Sequence, residues 1–253
     1  MKSFTIVIPA YNQLPLLQRA LESVLRQEEA DYDIIISDDS SDNKIERYVQ
    51  QLGNRDVHYI RHQQGKEAAS NWNDGLQMAT GQYLILMHHD EEMAGSDYLK
   101  RVQQQMEQGA DITISTVCVN GQKKSQHSNR WLKEYVCNHP TLLFLLNVIG
   151  PCACLTFRNE LLQTFNTNLK WLVDVEWYYR MLNGRKPVCI HTLTIYSHHG
   201  HESQISQTIN KKETFLSDKA ILYHVYQQDR KVRCMLFLYQ HGILNIKQLF
   251  GKR

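Results

Sequence analysis

The chain has 253 residues, 42% hydrophobic and 21% charged, with 28 Lys and Arg against 26 Asp and Glu. That suffices for one large α/β domain, alone or with an appendage, and excludes a low-complexity chain. A net charge of +2 gives no argument for a nucleic-acid partner, and none is expected.

The chain opens on an apolar strand, Phe4 to Pro9, so no cleaved leader is expected. Leu14, Leu17, Leu21, Val24 and Leu25 follow at helical spacing, with Asn12 as the expected N-cap. Asp33-Ile-Ile-Ile-Ser37 is a short run suited to burial on both faces of a parallel sheet. A helix over 42–52 closed by Gly53, a strand over 57–61 and a helix over 66–80 come next. Tyr83 to Met87 is another buried strand, then a helix over 97–108. An alternating strand from Ile112 to Val119 ends at Asn120-Gly121, a hairpin signal. The first 120 residues thus read β-α-β-α-β-α-β-α-β, a doubly wound, mostly parallel sheet.

The pattern weakens from Gln122. The spacing predicts a helix over 131–147 despite Pro140, a strand over 152–158, a short helix over 159–165, an amphipathic helix over 171–182 and a strand over 188–196. A His-rich loop follows, then a C-terminal helix over about 211–227 and a basic tail. The most apolar stretch, Thr141 to Phe157, is interrupted by Asn147 and Gly150-Pro151 and falls short of the ~18 residues of a membrane span. Of six scattered cysteines only Cys152 and Cys154 are close, and they read as buried thiols of a cytoplasmic protein.

Three strand tips are unusually polar. The first ends at Pro9-Ala-Tyr-Asn12, the second at Asp38-Asp39-Ser40-Ser41-Asp42, and Tyr83-Leu-Ile-Leu-Met87 at His88-His89-Asp90-Glu91-Glu92. Open α/β sheets bind ligands outside the carboxyl ends of their strands. Carboxylates beside a diphosphate are a usual way to hold Mg²⁺ or Mn²⁺. Against this stands a blander reading, in which the aspartates cap helices and Glu91 and Glu92 belong to a solvated turn.

These motifs, with Trp171-Leu-Val-Asp174-Val-Glu176-Trp-Tyr-Tyr-Arg180 and His201-Glu-Ser-Gln-Ile-Ser206, resemble the family 2 glycosyltransferases of the nucleotide-diphospho-sugar transferase (GT-A) fold. The resemblance covers about residues 4–206. It implies a glycosyltransferase domain over 1–206, with a nucleotide-binding half at 1–121 and an acceptor half at 122–206, followed by a C-terminal helical extension at 207–253. Pro9, Tyr11, Asn12, Asp38, Asp39, Asn73, His88 and His89 would bind the nucleotide sugar, Asp39 at the base and Asp38 near the ribose. Asp90 and the late His201, with His199 as alternate, would meet a divalent cation, Mn²⁺ or Mg²⁺. Asp174 falls on the family's general base.

The chain departs from the family pattern at three places: His88 replaces the first acid of the metal motif, Val173 the acid before the base, and Trp72 an arginine whose task Lys66 could take. The implied activity is inverting, metal-dependent transfer of a sugar from a nucleotide-diphosphate donor to a saccharide or lipid-linked acceptor, in bacterial surface polysaccharide assembly. An inactive sugar-nucleotide-binding protein is the main alternative. A nucleotidyltransferase fits less well, because Pro9-Ala-Tyr-Asn-Gln13 is not a Gly- and Arg-rich phosphate loop. A cytoplasmic location is expected. Lys231, Arg233, Lys247, Lys252 and Arg253, set among apolar and aromatic residues, suggest contact with the inner face of a membrane; a solvated helix pair is the alternative.

Overall fold

The computed structural model describes residues 2–62, 67–122, 129–200 and 210–240. Its centre is an eight-stranded mixed sheet in the order β3-β2-β1-β4-β7-β6-β8-β5. The strands are β1 Phe4–Ala10, β2 Tyr32–Asp38, β3 Val57–Arg61, β4 Tyr83–Leu86, β5 Glu91–Met93, β6 Ile112–Val119, β7 Leu155–Arg158 and β8 Val188–Ser197. The first four pair in parallel, with β1 between β2 and β4. β7 is antiparallel to both β4 and β6, and β8 runs parallel to β6. The sheet therefore runs from the strands before residue 121 to those after it without a break.

Among the described residues there are eight α-helices, α1 Leu14–Leu25, α2 Lys44–Leu52, α3 Ala68–Gln77, α4 Tyr98–Glu107, α5 Arg130–Asn138, α6 Val173–Leu182, α7 Lys211–Val225 and α8 Arg230–Leu238. Ile34, Ile35 and Ile36 are all buried, as an apolar run in a parallel strand requires. Ile112 to Val119 departs from its apparent alternation: Thr113, Ser115 and Thr116 are buried too, because β6 lies between two strands. The hydroxyls of Ser115 and Thr116 are met internally. Tyr98 Oη donates to Ser115 Oγ (2.8 Å), and Thr116 Oγ1 donates to the Leu193 carbonyl (2.7 Å).

Several expected elements take another form. Asn120 and Gly121 turn with positive φ of 47° and 76°, but Gln122 makes only an isolated bridge to Val119. The helix expected over 131–147 stops at Asn138, and a 3-10 segment Pro140–Phe144 replaces its second half. Proline at 140 removes a backbone donor and disfavours helical geometry at His139. Cys152–Cys154 is a 3-10 turn ahead of β7, and the expected helix over 159–165 shrinks to Asn159–Leu161. Asn12 does not cap α1. Gln13 holds that position without a side-chain bond, and Asn12 adopts φ 55°.

Gly81 precedes β4 where chain segments nearly touch. A Cβ there would lie 2.5 Å from the Thr5 nitrogen and 2.6 Å from the Phe4 carbonyl carbon. Both are backbone atoms, so the strands would have to part. We expect Gly81→Ala to lower the unfolding free energy by roughly 1–3 kcal/mol through overpacking. Urea denaturation checks this, and an unchanged midpoint would show that the edge gives way freely.

Candidate active site

The parallel register sets the tips of β1, β2 and β4 side by side: Ala10 faces Asp38, and Val7 faces Leu86. Tyr11 stands at the mouth, 49% exposed. Asp39 is buried, with its N–H bonded to the Ala10 carbonyl (3.1 Å). Its neighbours hold this floor together. Asn12 Oδ1 accepts from Ser41 N (2.9 Å), and Asn12 N donates to Ser40 Oγ (2.8 Å). Asp38, fully buried, accepts from Ser40 N (2.9 Å), the Ser40 hydroxyl and Tyr59 Oη (2.7 Å). Asp38 thus braces the loop from within.

Asn73 is spent in the same way. Its amide bonds both ways with the Phe165 backbone, Nδ2 to the carbonyl (3.0 Å) and Oδ1 from the N–H (2.7 Å). Phe165 and His88 both meet the Trp72 ring edge-on, at 5.1 and 4.7 Å between centroids. Where the family carries an arginine, this chain therefore has an aromatic wall supporting His88. Lys66 and His201 lie outside the described residues.

Beyond β4 the chain does not pass into a solvated loop. It turns, with Glu91 N bonded to the His88 carbonyl (3.0 Å), and re-enters the sheet as β5, antiparallel to the end of β8. Two glutamates in three residues hid this strand from hydropathy. Glu91 is 3% exposed, and its carboxylate takes the His88 backbone N–H (2.9 Å) and the His88 ring Nδ1–H (3.1 Å). Glu92 accepts from Arg19 (2.7 Å) and His198 (2.6 Å), which ties α1 to the end of β8. His198 N also donates to the Asp90 carbonyl (2.9 Å), bringing His198 beside the motif. His89 Nδ1–H donates to the Pro9 carbonyl (3.2 Å), locking β4 to β1.

Asp174 lies in the first turn of α6. Its Oδ1 accepts from Val175 N (2.8 Å) and its Oδ2 from Asn147 Nδ2 (3.4 Å). Asn147, seen in the sequence only as a break in an apolar run, also accepts from Ile149 N and Gly150 N (3.0 Å each) and so shapes this wall. Burial pushes the Asp174 carboxyl up to about 6, against opposing bonds from the backbone and the charge of His88. Burial disfavours a charged His88, but Glu91, Asp90 and Asp174 outweigh it and raise its pKa. Burial likewise raises Glu91, with His88 opposing. His88 thus lies within electrostatic reach of both Asp90 and Asp174.

Glu176, 2% exposed, points elsewhere. It is clasped by Arg180 through Nε (2.7 Å) and Nη2 (2.9 Å) and by Tyr226 Oη (2.6 Å). Arg180 also reaches Gln163 Oε1 (2.9 Å) and the Thr164 carbonyl (2.8 Å). The C-terminal helices contribute a further hold that hydropathy did not reveal. Buried Asp218 of α7 accepts from Lys170, Trp171 and Leu172 N–H groups at 2.7–3.2 Å, just ahead of α6.

Residues 5–164 match the family model described as Glycosyl transferase family 2. The chain belongs to that family. It is 31% identical over 96 residues to the GalNAc(5)-diNAcBac-PP-undecaprenol beta-1,3-glucosyltransferase of Campylobacter jejuni, a match spanning 37% of this chain and 31% of that protein. It is 27% identical over 217 residues to the putative colanic acid biosynthesis glycosyl transferase WcaA of Escherichia coli, spanning 82% of this chain and 76% of that one. Among solved structures, TarS 1-349 of S. aureus in complex with UDP-GlcNAc superposes with a TM-score of 0.74 at 15% identity, over 99% of this chain and 73% of that one. The mannosyltransferase PcManGT of Pyrobaculum calidifontis, in complex with GDP-Man and Mn²⁺, gives 0.64 at 12% identity, over 100% of this chain and 76% of that one. The fold is GT-A, and the protein is a glycosyltransferase.

Family 2 transferases of this fold commonly use divalent metals. The residues at the β4 tip fit one. Asp90 would supply oxygen, and the enclosed His88 Nε2 has no hydrogen-bond partner among the described residues. No three His, Cys, Asp or Glu side chains converge as a metal cage among those residues. Magnesium-type sites need no such cage, because one or two carboxylates and substrate phosphates commonly suffice.

Proposed function

We propose that this glycosyltransferase moves a sugar from a nucleotide-diphosphate donor to a saccharide or lipid-linked acceptor by one inverting displacement, with Asp174 as general base. One observation carries this reading: a carboxyl poised at about 6 within electrostatic reach of the His88 to Asp90 motif. A base must be mostly deprotonated near neutrality yet still able to take a proton, and burial supplies that balance. Tyr11 packs on the nucleobase and Asp39 accepts from it, with Pro9 beside them at the tip of β1. His88 and His89 face the ribose and diphosphate, while Asn12, Asp38 and Asn73 hold the pocket walls. Asp90 holds the divalent cation, which stabilises the charge growing on the departing diphosphate. His201, or His199 in its place, is the further residue expected to meet the cation.

The names of the Campylobacter and Escherichia relatives, one for an undecaprenol-linked saccharide and one for colanic acid, support a lipid-linked acceptor in bacterial surface polysaccharide assembly. They also disfavour the inactive-binder reading. No helix among the described residues is long and apolar enough to cross a membrane. A cytoplasmic protein resting on the inner face of a membrane suits such an acceptor. Exposed Lys186, Arg230, Lys231 and Arg233 lie near the end of α6 and along α8, with Phe237 51% exposed beyond them. Lys247, Lys252 and Arg253 lie outside the described residues.

Asp174→Asn tests the base. Asparagine keeps the size and most hydrogen bonds but cannot accept the proton, so donor affinity should persist while transfer falls about 10²–10⁴-fold. In the wild type, kcat/KM should fall about tenfold per unit as pH drops below about 6, because protonation removes the base. Transfer within a few-fold of wild type in the variant would remove Asp174 from this role.

Membrane contact predicts that the purified protein cosediments with anionic phospholipid vesicles at low salt and is released as salt rises. Equal recovery with neutral vesicles, or none with either, would leave the basic face as ordinary solvated surface.

A further inference from the structure

His88 replaces an acid in the metal motif, and its surroundings are those of a ligand. Glu91 grips the residue twice, with one oxygen on the backbone N–H at 2.9 Å and the other on ring Nδ1 at 3.1 Å. Trp72 closes one side of the ring at 4.7 Å. The proton on Nδ1 is fixed by Glu91, which in the neutral ring leaves the lone pair on Nε2. Nε2 is shielded from solvent and bonds to nothing among the described residues. A buried nitrogen acceptor with no partner is costly, by about 1–3 kcal/mol, and needs an explanation.

We propose that His88 Nε2 is a direct ligand of the divalent cation, with Glu91 as the positioning residue that sets its tautomer and direction. A ligating histidine commonly donates its other ring N–H to a carboxylate, and this ring does so. Shielding from water is compatible with ligation. Metal–imidazole bonds of roughly 2.0–2.1 Å, the zinc values, are far shorter than a hydrogen bond from water, so a gap too narrow for water can admit a cation. The negative surroundings of the ring, with Asp90 and Asp174 both acting on it, favour a cation there.

The protein then contributes one nitrogen and one oxygen, and diphosphate oxygens fill further positions. Imidazole suits transition metals better than Mg²⁺, which keeps to oxygen. This site should therefore prefer Mn²⁺ to Mg²⁺ more strongly than one with an acid at position 88. The inference rests on Asp90 as a metal ligand and adds a second ligand and a metal preference.

The test is pulsed EPR on the protein with Mn²⁺ and UDP, and separately with Mn²⁺ and GDP. Wild type should show ¹⁴N modulation from a directly bound imidazole. His88→Asp, which restores an acid, should still bind Mn²⁺ but lose that modulation, and its preference for Mn²⁺ over Mg²⁺ should shrink. Glu91→Gln, checked for folding by circular dichroism, should weaken Mn²⁺ binding about 10–100-fold, as loss of an orienting partner does. Bound Mn²⁺ without nitrogen modulation in wild type, or modulation that survives His88→Asp, would overturn this inference and leave Asp90 as a ligand. Failure of wild type to bind Mn²⁺ with either nucleotide would overturn both.

Discussion

The site is organised by a shortage of positive charge. At the tip of β4, Asp90, Glu91 and Asp174 act on one imidazole, His88. Nearby cations are committed elsewhere: Arg19 pairs with Glu92, and Arg180 with Glu176. Carboxylates gathered out of water with too few counter-ions raise one another's pKa values and favour any cation that enters. Burial raises the Asp174 carboxyl, and the acidic surroundings of His88 fit a pocket receiving a metal with a diphosphate. This imbalance would be a liability in a protein built only for stability.

Such charge can act usefully only if the elements carrying it are held still. β5 does this for the motif by returning the acidic turn to the sheet, while the Glu92–Arg19–His198 cluster pins the end of β8 beside it. α6 is held from behind. Glu176, the second acid of its motif, serves as an anchor for Arg180 and Tyr226, and Asp218 takes three N–H groups ahead of the first turn. The C-terminal helices are therefore part of the support for Asp174, as well as the carriers of an exposed basic face.

Where burial dictated residue type, the fold was legible. Phe4 to Ala10, Tyr32 to Asp38 and Tyr83 to Leu86 are central strands, and their apolar runs could serve little else. β5 was not legible, because its two acids are satisfied inside the fold, Glu91 by His88 and Glu92 by Arg19 and His198 far away in sequence. The motif residues could be named from their order along the chain, but their division of labour could not. Asp38, Asn12 and Asn73 look like ligand contacts in sequence, yet they are committed to Tyr59, Ser41 and Phe165. Asn147 gave only a weak signal, a polar residue within an apolar run.

The central claim is that one carboxyl, Asp174, drives a single displacement. The stereochemistry of the product tests this most directly. With a donor of known anomeric configuration and an accepted acceptor, NMR coupling constants of the freshly formed glycoside should show inversion. One base and one attack leave no covalent intermediate to restore the original configuration. A retained configuration would contradict the account, even if every substitution at Asp174 abolished activity.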